Sequence, residues 1–177
     1  MRAPERKRGS RPVPTLRQKA LRALARREYS RAELARKLGS GTSRTTASRT
    51  TSESDPPTAS PAEIEALLDE FEASGWLSDE RFAGGAARQR QGRYSQRYIV
   101  QDLKSRGVAG DTAKEAVSAL EQDDYATALV LWRQRFGKPP ADQKEKARQV
   151  RYLMSRGFAL QIVFRILREQ GVRTDDE

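Results

Sequence analysis

The chain has 177 residues, no cysteine, no histidine and a formal charge of +10. The missing residue types exclude thiol nucleophiles, disulfides, imidazole bases and the usual zinc ligands, and zero cysteine is compatible with a reducing cytoplasm. Mean hydropathy is −0.83, no apolar run approaches the ~20 residues of a membrane span, and the basic start MRAPERKRGSRP lacks the apolar segment of a secretory signal.

The positive charge is unevenly placed. Residues 1–52 hold 15 Arg or Lys against 3 Asp or Glu, whereas residues 53–177 hold 19 against 21. An excess of one sign concentrated at one end suits a polyanion or an acidic protein surface better than general solubility. The second part is also banded. Residues 63–80 carry seven acids and no base, 81–106 seven bases and one acid, 111–124 five acids and one base, and 133–156 eight bases and two acids. Such bands either pair neighbouring units with one another or face two different partners.

Residues 1–14 read as a flexible basic arm, with Arg2, Arg6, Lys7, Arg8 and Arg11 set among prolines and short polar residues. A helix begins near Thr15, with Leu16, Ala20, Leu21 and Leu24 at helical spacing. Ser30 and Glu33 form a capping box for a second helix over 31–38, which Gly39 ends. Residues 40–60 belong to a Ser/Thr-rich insertion of disordered composition. Order resumes at Ser60-Pro61-Ala62-Glu63, a cap, a first-turn proline and a closed box. Ile64, Leu67, Leu68 and Phe71 give that helix one buried stripe.

Ser78 caps the next helix, whose acids Asp79 and Glu80 sit where backbone N–H groups point. Phe82, Ala86 and Ala87 are expected inward. Gly84 and Gly85 either permit close helix contact or weaken the helix. Gly92 breaks it. A helix over about 95–105 presents Tyr98, Ile99 and Leu103, then Gly107-Val108 follows, then a helix over 111–122. The third pass puts Tyr125, Leu129, Trp132 and Phe136 on one face and breaks at Gly137-Lys138-Pro139-Pro140. Its middle helix covers 141–155 with Val150, Leu153 and Met154 inward. Its last helix covers 159–170 with Leu160, Val163, Phe164 and Leu167 inward. Trp76 and Trp132 read as packing residues.

KSRGV at 104–108 and MSRGF at 154–158 are 50 residues apart, so the unit is helix, basic turn, helix ending in glycine and a hydrophobe, helix. The fold class is all-α, with tandem three-helix repeats stacked into an extended, curved body, because units this small cannot bury their faces alone. A compact helical bundle is the rival. The expected divisions are an arm at 1–14, a first repeat at 15–75 interrupted at 40–60, a second at 76–122, a third at 123–171 and a tail at 172–177.

No catalytic constellation, nucleotide loop or metal spacing appears. Gly39-Ser40-Gly41 lacks the lysine and preceding strand of a phosphate loop, Asp123-Asp124 reads as a helix start, and no cofactor is expected. The candidate contact residues are basic. Arg88, Arg90, Arg93 and Arg97 surround the break at Gly92, Arg133, Arg135 and Lys138 surround the break at Gly137, and Arg106 and Arg156 occupy the same place in two units. Arginine presents a rigid fork suited to phosphates and carboxylates. Each position also suits a solvated flank or a helix C-terminus that favours cations. The segment YSRAELARKLG at 29–39 has the look of the first helix of a helix-turn-helix, which keeps a sequence-reading DNA-binding protein as the alternative.

GWLSDERFA at 75–83, Gly92 and DLKSRGV at 102–108 resemble the central signature of the RecX family. YLMSRGFALQIVFRIL at 152–167 is similar to its closing repeat, and ALRALARREYSRAELARKL at 20–38 to its opening one. The family pattern falls on Asp79, Phe82, Arg88, Gly92, Leu103, Lys104, Gly107 and Val108. Tyr94-Ser95 stands where members often have Gly-Pro. The resemblance implies a bacterial cytoplasmic, non-enzymatic regulator that lies along the groove of the RecA–DNA filament. It implies limits on ATP hydrolysis, strand exchange and coprotease action, and so a place in homologous recombination, DNA repair and the SOS response. The partners implied are the RecA recombinase filament and, non-specifically, DNA, with no membrane, no small-molecule substrate and a monomeric state.

Overall fold

The computed structural model describes residues 14–40 and 59–172. The arm, most of the insertion and most of the tail expected above lie outside the described residues. Every regular element among the described residues is helical: α1 Leu16–Leu24, α2 Arg31–Ser40, α3 Pro61–Ala73, α4 Asp79–Arg90, α5 Gln96–Ser105, α6 Gly110–Ser118, α7 Asp124–Arg135, α8 Gln143–Met154 and α9 Leu160–Val172. Their starts follow from side chains that satisfy orphan N–H groups. Thr15 and Ser60 close full capping boxes with Gln18 and Glu63, and Ser78, Ser95, Asp123 and Asp142 cap α4, α5, α7 and α8. Gly75, Gly92, Gly107, Gly137 and Gly157 all take positive φ after helix ends, where a side chain meets the carbonyl oxygen.

The described residues divide into two compact bodies, 14–28 with 34–40 and 59–77, and 29–33 with 78–172. The smaller buries Ala20, Leu34, Leu68 and Phe71, and Arg17 spans from α1 to Glu70 of α3 at 2.5 Å, with its guanidinium over the Phe71 ring. The larger holds two three-helix packings, α4–α6 and α7–α9.

Those two cores are versions of one plan. Leu103, Val108 and Ala113 of the first correspond, 50 residues on, to Leu153, Phe158 and Val163 of the second, and all six are buried. One pair differs together. Ala87 and Ile99 are replaced by Trp132 and Gln149 at the equivalent positions. An indole N–H buried without a partner costs about 1–3 kcal/mol, and Gln149 Oε1 accepts it at 2.7 Å. The buried glutamine therefore exists because the tryptophan does.

Four placements differ from the sequence reading. Helix α6 ends at Ser118 rather than 122, and α8 covers Gln143–Met154 rather than 141–155. In α9 the core residues are Val163, Ile166 and Leu167, whereas Leu160 and Phe164 are 44% and 46% exposed. Met154, Tyr98 and Trp76 are also exposed. These helices carry apolar residues on more than one face, and periodicity does not say which face a neighbour covers. Tyr98 stacks on Tyr94 with ring centroids 4.4 Å apart.

Neither interior glycine of α4 marks a close helix contact. A Cβ on Gly85 would meet nothing within 4 Å, and one on Gly84 would meet only the Arg88 guanidinium. Gly85 is therefore a plain weakness in the helix, and Gly85→Ala is expected to stabilise the fold by about 0.5–1 kcal/mol. Urea unfolding measures this, and a fall in the midpoint would show a backbone role that the helix geometry does not contain.

Candidate functional site

The break after the first helix of each repeat is the same object built twice. RQRQGR at 88–93 and RQRFGK at 133–138 lie 45 residues apart, at the ends of α4 and α7, with Gly92 and Gly137 at φ 72° and 71°. The left-handed glycine ends the helix sharply and leaves a basic residue on each side of the turn. Arg88, Arg93, Arg133, Arg135 and Lys138 are exposed there, as is Arg97 in the first turn of α5. Cations at the C-terminal end of a helix also offset its macrodipole, so this cluster costs the fold little.

Three of the nine candidate bases are occupied within the protein. Arg90 Nε lies 2.9 Å from Asp102 Oδ2 and its Nη1 donates to the Ala86 carbonyl at 3.2 Å. Arg106 lies 3.0 Å from the same Asp102 oxygen and 3.3 Å from Glu33 Oε1, with its guanidinium over the Phe82 ring. These groups are mostly buried, and Asp102 Oδ2 has ion-pair neighbours without an aligned hydrogen bond. Removing Asp102 would leave the mostly buried Arg90 guanidinium without a counter-charge, a change that typically costs about 3–5 kcal/mol. Arg156 lies over Tyr152 at 4.4 Å and Tyr94 at 5.8 Å. Arg90 is therefore held within the fold, whereas Arg88 and Arg93 beside it are exposed.

The recurrence of Arg106 and Arg156 has its explanation at two internal joints. Ser30 Oγ accepts from the Glu33 N–H and donates to the Arg106 carbonyl at 2.6 Å. Ser95 Oγ accepts from the Tyr98 N–H and donates to the Gly157 carbonyl at 2.8 Å, while its backbone N–H reaches the Arg156 carbonyl. Beside each serine an aspartate takes the next backbone N–H: Asp79 that of Arg31 at 2.8 Å and Asp124 that of Gln96 at 3.0 Å. Gly107 faces Ala32 and Gly157 faces Tyr98, both too closely for a Cβ. At the corresponding place in α8 stands an exposed Glu145, whose carboxylate accepts from the Ala141 N–H. The joint is thus built twice among the described residues and is not continued at α8.

Sequence reasoning saw the capping serine and the repeated Arg-Gly separately. A hydroxyl that caps its own helix while donating to a residue 62 or 76 positions away leaves no local signal. It also missed a basic cluster on α9. Arg165 Nε donates to Glu169 Oε1 at 2.8 Å and its guanidinium lies over Tyr125, whose hydroxyl donates to the other Glu169 oxygen. The hydrogen bonds from Arg165 and then Tyr125 hold the Glu169 carboxyl below the usual carboxylate range. The bond to Glu169 raises the Tyr125 phenol above its ordinary value.

The regulatory protein RecX of Leptothrix cholodnii is 43% identical over 159 residues, covering 90% of this chain and 91% of that protein. The chain belongs to the RecX family. Regulatory protein RecX of Ralstonia nicotianae is 38% identical, with 92% of each chain covered. Family models for the second and third three-helix domains of RecX match residues 78–117 and 121–167, which are the α4–α6 and α7–α9 packings. Crystal structures of RecX share the fold. That from Lactobacillus salivarius has a TM-score of 0.61 at 16% identity, covering 88% of this chain and 94% of its own. A second RecX structure also has a TM-score of 0.61, covering 85% of this chain and 70% of the other. The chain is thus an all-α regulatory protein of the RecX family built from tandem three-helix domains. Among the described residues no helix is long and apolar enough to cross a membrane, and no group of acids is placed to hold a metal ion.

Proposed function

We propose that this chain binds the RecA–DNA filament in the cytoplasm and restrains its ATP hydrolysis, strand exchange and coprotease action without chemistry of its own. The observation that carries the reading is the duplicated basic turn, with Arg88 and Arg93 at one break and Arg133, Arg135 and Lys138 at the next, all exposed. A filament presents the same surface at regular intervals, and a repeated contact on the regulator matches a repeated contact on its partner. Linked contacts gain avidity from effective concentration without any new interaction. The joints at Ser30 and Ser95 hold neighbouring elements by buried hydrogen bonds rather than by a bare linker, which preorganises the surface and lowers the ordering cost of binding. A regulator that binds one filament state more tightly shifts the population toward it and so resists the rearrangements that turnover requires. Non-specific DNA binding follows from the same charge and is expected to weaken steeply with salt. The test is DNA-dependent ATP hydrolysis by the recombinase with and without this protein, beside binding to filament, to free recombinase and to DNA alone.

A further inference from the structure

The third repeat carries a surface that its sibling lacks. In the 50-residue register, α9 replaces Gly110, Lys114 and Ser118 of α6 by Leu160, Phe164 and Arg168, and replaces Asp111 and Glu115 by Gln161 and Arg165. The same outward face of the same fold is polar with two acids in one repeat, and apolar and basic in the other. Position in the fold therefore does not explain it. Solvent-facing leucine and phenylalanine bring no packing energy to an isolated repeat, and here they sit one turn apart and half exposed.

Beside this face is a groove of about 800 Å³. Pro139, Pro140, Phe164 and Leu167 give it apolar walls, and among the described residues no acid lines it. Its cations are Lys146, Arg165 and Arg168. Lys146 lies 6.0 Å from the centre of the Phe164 ring, and Arg165 is fixed between Glu169 and Tyr125. Arg168, one helical turn beyond Phe164, makes no ion pair among the described residues.

We propose that this groove docks an acidic protein segment carrying apolar side chains at helical spacing, with its anchor against Phe164 and its carboxylates on Lys146 and Arg168. The charge fixes the sign of the partner, and the walls fix its kind. Platforms for single-stranded nucleic acid stack successive bases on open aromatic faces. This groove offers one ring, with an ammonium already near it, and otherwise proline and leucine. Those surfaces suit the apolar face of an amphipathic segment. The inference goes beyond the filament reading and does not need it, because the assay contains no recombinase and either reading can fail alone.

The probe is a fluorescein-labelled glutamate-rich peptide with leucines at i and i+4, titrated with the full chain. Amide NMR shifts report where it binds, and a control peptide has serine in place of the leucines. Binding is expected to shift the amides of Gln161, Phe164 and Gly171, and the control is expected to bind at least about tenfold more weakly. Phe164→Ser should cost a similar factor, about tenfold, and should keep the melting temperature because the ring is half exposed. Lys146→Glu with Arg168→Glu should remove the salt dependence of binding. Several results would overturn the proposal: no binding to the wild-type chain, equal binding of the leucine-free control, or full affinity after Phe164→Ser. Displacement of the peptide by oligothymidylate with shifts at the same amides would assign the groove to nucleic acid instead. Concentration-dependent shifts there without peptide would assign it to a second copy of this chain.

Discussion

Gly157→Ala is expected to be among the most damaging conservative changes in the larger body. The glycine sits at φ +84°, and a Cβ there would lie 2.6 Å from both Ser95 Oγ and Tyr98 Cβ. Placing a side chain in the left-handed region costs about 1–2 kcal/mol, and forcing atoms into a filled contact costs about 1–3 kcal/mol more. Tyr98 Cβ belongs to a helix and not to a flexible tip, so the overlap is relieved only by parting the joint. Together these predict a loss of about 2–5 kcal/mol, or on the order of 10 °C in Tm for a body of this size. Gly92→Ala is the internal control. It has φ +72° and nothing within 4 Å of a Cβ, so it should cost only the backbone strain, about 1–2 kcal/mol. Thermal unfolding of the two variants separates strain from overlap. Equal losses would mean that the Ser95–Gly157 contact contributes nothing to the fold.

Replacing Arg88, Arg93, Arg133, Arg135 and Lys138 together by Ala is expected to leave the fold unchanged and to weaken filament binding about 100-fold or more. Arg90 is kept, because it holds Asp102 across from Arg106. The five residues are exposed and their removal strands no buried group. If two of them each make a charge-assisted contact worth about 1.5–2 kcal/mol, the combined loss is about 3–4 kcal/mol, and each 1.4 kcal/mol is about tenfold in Kd. The salt dependence of binding should fall with the charge removed. Changing one turn at a time should show whether both contribute, although shared contacts make the losses non-additive. Circular dichroism and Tm come first. Unchanged filament affinity in a folded variant would move the binding surface away from both turns.

How much of this was legible in the sequence depends on how local the cause is. The capping signals at Ser30 and Ser60 and the glycine breaks are decided within a few residues, and helix starts were accordingly read to within one or two positions. The all-α class followed from apolar residues at helical spacing between successive breaks. Helix faces were read less well. In α9 the apolar residues Leu160, Ile162, Val163, Phe164, Ile166 and Leu167 cover more than half the circumference, so their spacing allows two choices of core face. Only the packing against α7 and α8 selects Val163, Ile166 and Leu167. Among the candidate bases, the repeated turns at 88–93 and 133–138 were visible as charge beside glycine. Arg106 and Arg156 were visible as a recurrence, but a recurrence is equally the mark of a joint between repeats. Beside local partners at Asp102 and Tyr152, each has one far away in sequence, Glu33 and Tyr94, that only the fold brings near.

The central claim is regulation of the recombinase filament through contact with it, and ATP hydrolysis on single-stranded DNA measures it most directly. Purified recombinase is assembled on DNA and titrated with the wild-type chain, the five-charge variant and Gly85→Ala, with filament binding followed in the same samples. The wild type and Gly85→Ala should lower hydrolysis as they saturate the filament, and the five-charge variant should need about 100-fold more protein for the same effect. Hydrolysis that stays at its uninhibited rate while the wild-type chain is bound to the filament would contradict the claim.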